Sequence, residues 1–260
     1  MPIDDDRGEP VLVRRDDGGL VTLQLNRPRQ FNALSEALLA ALENELAGIA
    51  RDASVRCVVI SGAGKAFCAG HDLKEMRASP KLDYYRDLFA RCADAMMSIV
   101  NLPVPVIARV HGVATAAGCQ LVAACDLAIA GEAARFAVSG VNLGLFCSTP
   151  SVALSRNISA KRAFDMLVTG RFIDAPTALD WGLINEIAPD AALDAAVAEK
   201  AAQILSKSPA AIRYGKAMFS RQRRMPLADA YAYAADVMAR NMMEPETCAR
   251  IDAFLDKRPL

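Results

Sequence analysis

The chain has 260 residues; 53% are hydrophobic, 23% are charged, and 30 Lys and Arg balance 30 Asp and Glu. That composition excludes a disordered chain, and the charge balance excludes a globally basic nucleic-acid binder. The length fits one large domain or two small ones at roughly 100–200 residues each, with a core that needs neither disulfides nor metal to fold.

In chain order, Leu20–Leu25 alternates apolar and polar residues and reads as a strand, which Pro28 ends. Ser35 is placed to cap a helix whose apolar face is Leu39, Leu42, Leu46 and Ile49. Residues 57–61 are a short β-branched run, a buried strand closed by Gly62 and Gly64. Residues 82–100 read as a helix, 104–110 as a strand, 118–125 as a short helix and 126–130 as a strand. This alternation predicts α/β layering. The uncharged run 136–155 is long enough to span a bilayer, but Gly140, Asn142, Gly144 and Pro150 interrupt it. It reads as loop and short helix. From residue 191 the chain is Ala-rich and helical, divided by Pro209, Pro226 and Pro245. The expected organisation is an α/β core over 1–190 and a helical region over 191–260.

Seven cysteines and two histidines include no C-x-x-C pair and no metal-ligand spacing. The thiols read as reduced and buried in a cytoplasmic protein. No metal site, nucleic-acid partner or membrane partner is expected. The acidic N-terminus lacks an apolar segment, so no secretory signal is expected. The Gly62–Gly64 pair has Phe67 where a dinucleotide fingerprint needs its third glycine, and no G-x-S-x-G elbow occurs. His111, after an apolar strand, reads as a structural histidine.

Two segments carry chemistry. Residues 64–76 are GKAFCAGHDLKEM, and residues 110–126 are VHGVATAAGCQLVAACD. Each follows a predicted strand and places small residues where the chain turns into a helix. With NRPRQFNALS at 26–35 and IDAFLDKRP at 251–259, they resemble the crotonase superfamily, the enoyl-CoA hydratase/isomerase family. The resemblance runs through nearly the whole chain in the right order. It implies an α/β, crotonase-like fold of repeated ββα units forming a spiral core, followed by the C-terminal helical region. It also implies an acyl-CoA substrate whose thioester oxygen is held by two backbone N–H groups, which by position are those of His71 and Ala117. The CoA arm would lie along His71, Asp72, Leu73 and Lys74, with Ala33 and Ala69 at its adenine-pantetheine hook. Coenzyme A enters as part of the substrate, with no further cofactor. A homotrimer or dimer of trimers, built through the C-terminal helices, is also implied, with Phe254 and Lys257 near a neighbour's CoA. Arg27 and Lys65 read equally as contacts to CoA phosphates or as solvated surface.

The sequence departs from the hydratase pattern at both glutamates. They fall at Gln120 and Gly140, and neither replacement exchanges a proton. One subgroup of the family shares this pattern. Three functions remain open: a lyase or isomerase with another base, such as the His71 imidazole; a decarboxylase of malonyl-type CoA esters; and a non-catalytic acyl-CoA binder. Glu75 is expected to face solvent, and Asp72 to be structural.

Overall fold

The computed structural model describes residues 3, 4 and 8–257. Strands β1 (Ile3–Asp4) and β2 (Glu9–Pro10) form a small antiparallel pair. Next come β3 (Leu12–Asp17), β4 (Leu20–Leu25), α1 (Glu36–Arg51) and β5 (Cys57–Gly62). Helices α2 (Leu73–Ala78) and α3 (Leu82–Asn101) lead to β6 (Val106–Val110), β7 (Val113–Thr115), α4 (Ala117–Ala124), β8 (Leu127–Gly131) and β9 (Arg135–Ala137). Then follow α5 (Ser148–Leu154), α6 (Ala160–Thr169), β10 (Ile173–Asp174), α7 (Ala175–Trp181) and β11 (Glu186–Ala188). The remaining elements are α8 (Leu193–Leu205), α9 (Pro209–Gln222), α10 (Leu227–Met242) and α11 (Pro245–Leu255).

Six strands form one sheet in the order β11-β8-β6-β5-β4-β3, and three form a second in the order β10-β9-β7. In the large sheet only the β3–β4 pairing is antiparallel. The central strand β5 is buried at all six positions because both of its faces are covered. Val58 and Ile60 face the main core, with Leu42 and Leu46 of α1 and Ile99 of α3. Cys57 and Val59 face the other side, against Leu193 and Val197 of α8. Each such aliphatic side chain contributes about 1.5–3 kcal/mol of burial.

Helix α1 starts where its capping residue predicts: the Ser35 hydroxyl accepts from the Leu38 N–H at 3.1 Å, worth about 1 kcal/mol. Strands β5 and β6 are parallel neighbours, so the loops leaving their C-terminal ends emerge at one edge of the sheet. The chain leaving those ends runs through residues 63–72 and, by way of β7, through 111–116, which belong to the two segments singled out by sequence. All seven cysteines are unpaired thiols, six of them buried and Cys248 exposed. Among the described residues, no helix is long and apolar enough to cross a membrane, and no cluster of three metal-binding side chains occurs.

Candidate active site

The 63–72 loop is fixed by residues far away in sequence. Asn32 is fully buried with φ +54°. Its amide donates to the Ala63 and Ala66 carbonyls at 2.8 and 2.7 Å, and its oxygen accepts from the Arg27 N–H at 2.9 Å. One side chain therefore ties the turn after β4 to the turn after β5. Ala69 N–H donates to Phe31 C=O at 3.0 Å, Leu34 N–H to Gly70 C=O at 2.7 Å, and Asp72 N–H to Leu34 C=O at 3.2 Å. In this parallel bridge Leu34 bonds the residues on either side of His71, so the His71 N–H points away from it. Ala33, Ala69 and His71 are thus brought together on adjoining segments.

The other side of the site is built by a second bridge. Cys68 N–H donates to Val113 C=O at 3.1 Å, and Thr115 N–H to Cys68 C=O at 3.0 Å. Ala116 then takes φ +50° and ψ −120°, and α4 begins at Ala117. Gly70, at φ +94°, lies so close that a Cβ there would stand 3.3 Å from the Ala117 nitrogen. The residue before His71 therefore packs against the backbone that starts α4, and among the described residues neither the His71 nor the Ala117 N–H donates a hydrogen bond. A free N–H at the first turn of a helix, beside a second free N–H, can hold a developing oxyanion.

The side chains around this pair are short of protons and of partners. Gln120, one turn into α4, is 4% exposed and its Oε1 accepts no bond. Both ring nitrogens of His71 are buried without partners, and the ring packs edge-on against Phe89 at 5.4 Å. Burial pushes the imidazole down to about 4. It is neutral at pH 7 and a weak base, since efficient general bases titrate near the working pH.

The 139–147 segment adjoins the same turn. Ala116 N–H donates to Ala137 C=O at 3.0 Å, and the Thr115 and Ser139 hydroxyls meet at 2.9 Å. Gly140 follows directly. A Cβ at this position would stand 2.4 Å from the Leu145 carbonyl oxygen and 2.9 Å from the Cys147 sulfur. The Gly140 N–H donates to that sulfur at 3.3 Å. Any side chain at 140 needs the segment to open.

Two sequence expectations need correction. Arg27 is neither solvated nor free for phosphates: it pairs with Asp72 at 2.9 Å and donates to Ala33 C=O at 2.7 Å, with about a tenth of each charged side chain exposed. Glu75 does not face solvent alone; it accepts from the Glu36 N–H at 2.9 Å at the start of α1. Asp72 caps α2 through the Lys74 and Glu75 N–H groups, at 3.0 and 3.4 Å, and the cap and Arg27 hold its carboxyl below the usual range against the opposing cost of burial. Leu73 and Lys74 are exposed beside it. His111 bonds Arg109 at 2.9 Å and Gly64 C=O at 3.0 Å, a structural role. Sequence reasoning missed the part played by Asn32 and by Cys147; a buried asparagine with φ above zero leaves no mark in a hydrophobic pattern.

The family model for enoyl-CoA hydratase/isomerase matches residues 15–260. The chain belongs to that family. It is 41% identical over 249 residues to enoyl-CoA hydratase domain-containing protein 3, mitochondrial, of Xenopus laevis, covering 96% of this chain and 85% of the relative. The human protein of that name is 42% identical over 249 residues, covering 96% and 82%. A solved enoyl-CoA hydratase of Mycobacterium smegmatis superposes with a TM-score of 0.95 at 58% identity, covering 96% of this chain and 98% of that one. The human enoyl-CoA hydratase domain-containing protein 3 structure gives 0.93 at 41%, covering 96% and 98%. The crotonase-like α/β fold expected from sequence is the fold observed. The expected cytoplasmic location is overturned, because these curated relatives are named mitochondrial. Buried, unpaired thiols fit more than one compartment and could not make that distinction.

Proposed function

We propose that this protein binds acyl-CoA thioesters and stabilises the enolate formed from them, with the His71 and Ala117 N–H groups as oxyanion donors. The observation that supports the reading is that both N–H groups lack an acceptor among the described residues, where Gly70 packs closely against the start of α4. Removing one such donor typically costs about 3–4 kcal/mol of transition-state stabilisation. The CoA arm lies along residues 71–74 with Ala33 and Ala69, and CoA is the only carrier the chemistry needs. Gln120 holds a water or a substrate oxygen through its amide.

Hydration by paired carboxylates is not this site's chemistry, since Gln120 and Gly140 exchange no proton and His71 is a weak base. The closure over Gly140 favours decarboxylation of malonyl-type CoA esters as a second reading: loss of carbon dioxide leaves the enolate directly, so no base is required. Exposed Tyr231, Met238, Phe254 and Leu255 on α10 and α11 support an assembly through the C-terminal helices, a homotrimer or dimer of trimers.

The test mixes the protein with crotonyl-CoA, followed by loss of enoyl absorbance, and with methylmalonyl-CoA, followed by release of carbon dioxide. Thioester binding with slow or absent hydration is the expected result. Rapid hydration would show that another group activates water. Failure of every thioester to bind would overturn the function. Light scattering decides the assembly, a monomer at micromolar concentration being the contrary result.

A further inference from the structure

We infer that the acyl chain taken up beside Gln120 ends in an anion, a terminal carboxylate held by Arg156, Arg223 and Arg224. This rests on the reading of the Gln120 site as an acyl-thioester site.

A cavity of about 1130 Å³ lies between α3, α4, α5 and α9, and Gln120 forms part of its wall. The wall is mainly apolar, with Met96 and Val100 from α3, Ala123 from α4, Val152 from α5 and Phe219 from α9. Val152 and Phe219 are more than half exposed, so apolar surface in this concavity is left uncovered by the chain. An alkyl chain covers such surface favourably.

The charge around the cavity is one-sided. Arg156, Lys216, Arg223 and Arg224 line it, against one carboxylate, Asp126. That carboxylate is already engaged: Lys216 Nζ donates to it at 2.6 Å and the Val106 N–H at 2.7 Å. The three arginines have no acidic partner among the described residues. Arg223 donates to the Arg156 carbonyl at 2.9 Å and Arg156 to the Val152 carbonyl at 2.8 Å, which holds the two together. Like charges gathered at a concave apolar surface focus their field on whatever enters, and guanidinium groups match a carboxylate in shape and charge.

The placement suits a chain running away from the oxyanion donors. Along α4 the order is Ala117, Gln120, Ala123. Asn157, next to Arg156, donates to the Ala123 carbonyl at 2.8 Å. The chain that carries Arg156 is therefore tied to α4 about one helical turn, roughly 5 Å along the axis, beyond Gln120.

Calorimetric titration of the full chain tests this with CoA monothioesters of α,ω-dicarboxylic acids of increasing length. Length-matched monocarboxylic thioesters and free CoA run beside them. At one chain length the dicarboxylic ester should bind about tenfold tighter at low salt, an effect of the size charge-assisted bonds give. The preference should fade with added salt. It should vanish in Arg156→Gln/Arg224→Gln and persist in Arg224→Lys, with unfolding temperatures unchanged because all three side chains are at the surface. Equal affinity for the two ester types would overturn the inference and leave the site reading intact. Weaker free-CoA binding in the double variant would assign the arginines to CoA phosphates and also overturn it. No thioester binding at all would remove the site reading, and the inference with it.

Discussion

Two regions flank the start of α4, and they are built in opposite ways. The loop ending at Gly70–His71 is held by bonds from two other segments, the turn after β4 through Asn32 and Leu34, and β7 through Thr115. Its own His71 N–H is left over. The 139–147 segment is held mainly by itself: Leu145 N–H donates to Gly140 C=O and Gly144 N–H to Val141 C=O, both at 3.0 Å, and Gly140 N–H to the Cys147 sulfur. Oxyanion binding by main chain depends on where segments cross, so it tolerates many side chains. Proton transfer depends on one side chain and on room for it. This molecule keeps the crossing and fills the room.

The comparison can be broken from either side. The largest effect is expected for Asn32→Ala, which orphans two buried carbonyls and one N–H and places Ala at positive φ. We expect a loss of about 3–4 kcal/mol in urea unfolding, with thioester binding lost at temperatures where the fold persists. An unchanged midpoint would mean that the crossing is held elsewhere.

His71 gives a pH-dependent counterpart. Its pKa is about 4 in the folded chain against 6.5 in the open one, so the unfolded state binds the extra proton in between. Stability is fully present above pH 6.5 and falls as pH drops toward 4, by about 3 kcal/mol from this group. Denaturant titrations across that window should show the slope, and His71→Leu should flatten it.

Gly140→Glu sharpens the other side. With a Cβ 2.4 Å from the Leu145 oxygen, the substitution should cost about 2 kcal/mol and lower the unfolding temperature. Restoring the glutamate pair as Gln120→Glu/Gly140→Glu should therefore yield a strained protein rather than a hydratase. A stable double variant with fast crotonyl-CoA hydration would show that the segment opens freely. The smallest effect is expected for Arg27→Lys, which keeps the charge beside Asp72 but loses the fork that also reaches Ala33. About 1 kcal/mol is expected, with the Asp72 pKa moving back toward its ordinary value.

Much of this was legible in sequence, for identifiable reasons. Strand β4 and the capped start of α1 are local patterns, and both appear where the alternation and Ser35 put them. The small residues at 70 and 116–118 marked the close crossing because bulk is impossible there. What stayed hidden depends on distant partners. Strand β3 carries Arg-Arg-Asp-Asp and shows no alternation; its strand state comes from pairing with β4. Arg27 read equally as a contact to CoA phosphates or as solvated surface, because its partner Asp72 lies 45 residues further along the chain. The absence of a carboxylate at 140 was visible, but the loss of space was not, because Leu145 and Cys147 close over it only in the fold.

The most direct measurement is the spectrum of a β-ketoacyl-CoA, acetoacetyl-CoA, bound to the protein, since its enolate absorbs where the keto form does not. Two N–H donors aimed at the thioester oxygen should raise the enolate fraction on binding and lower the pH at which it forms by a unit or more, a difference of about 1.4 kcal/mol or greater. Binding that leaves the keto–enolate balance as it is in water would contradict the oxyanion role of His71 and Ala117.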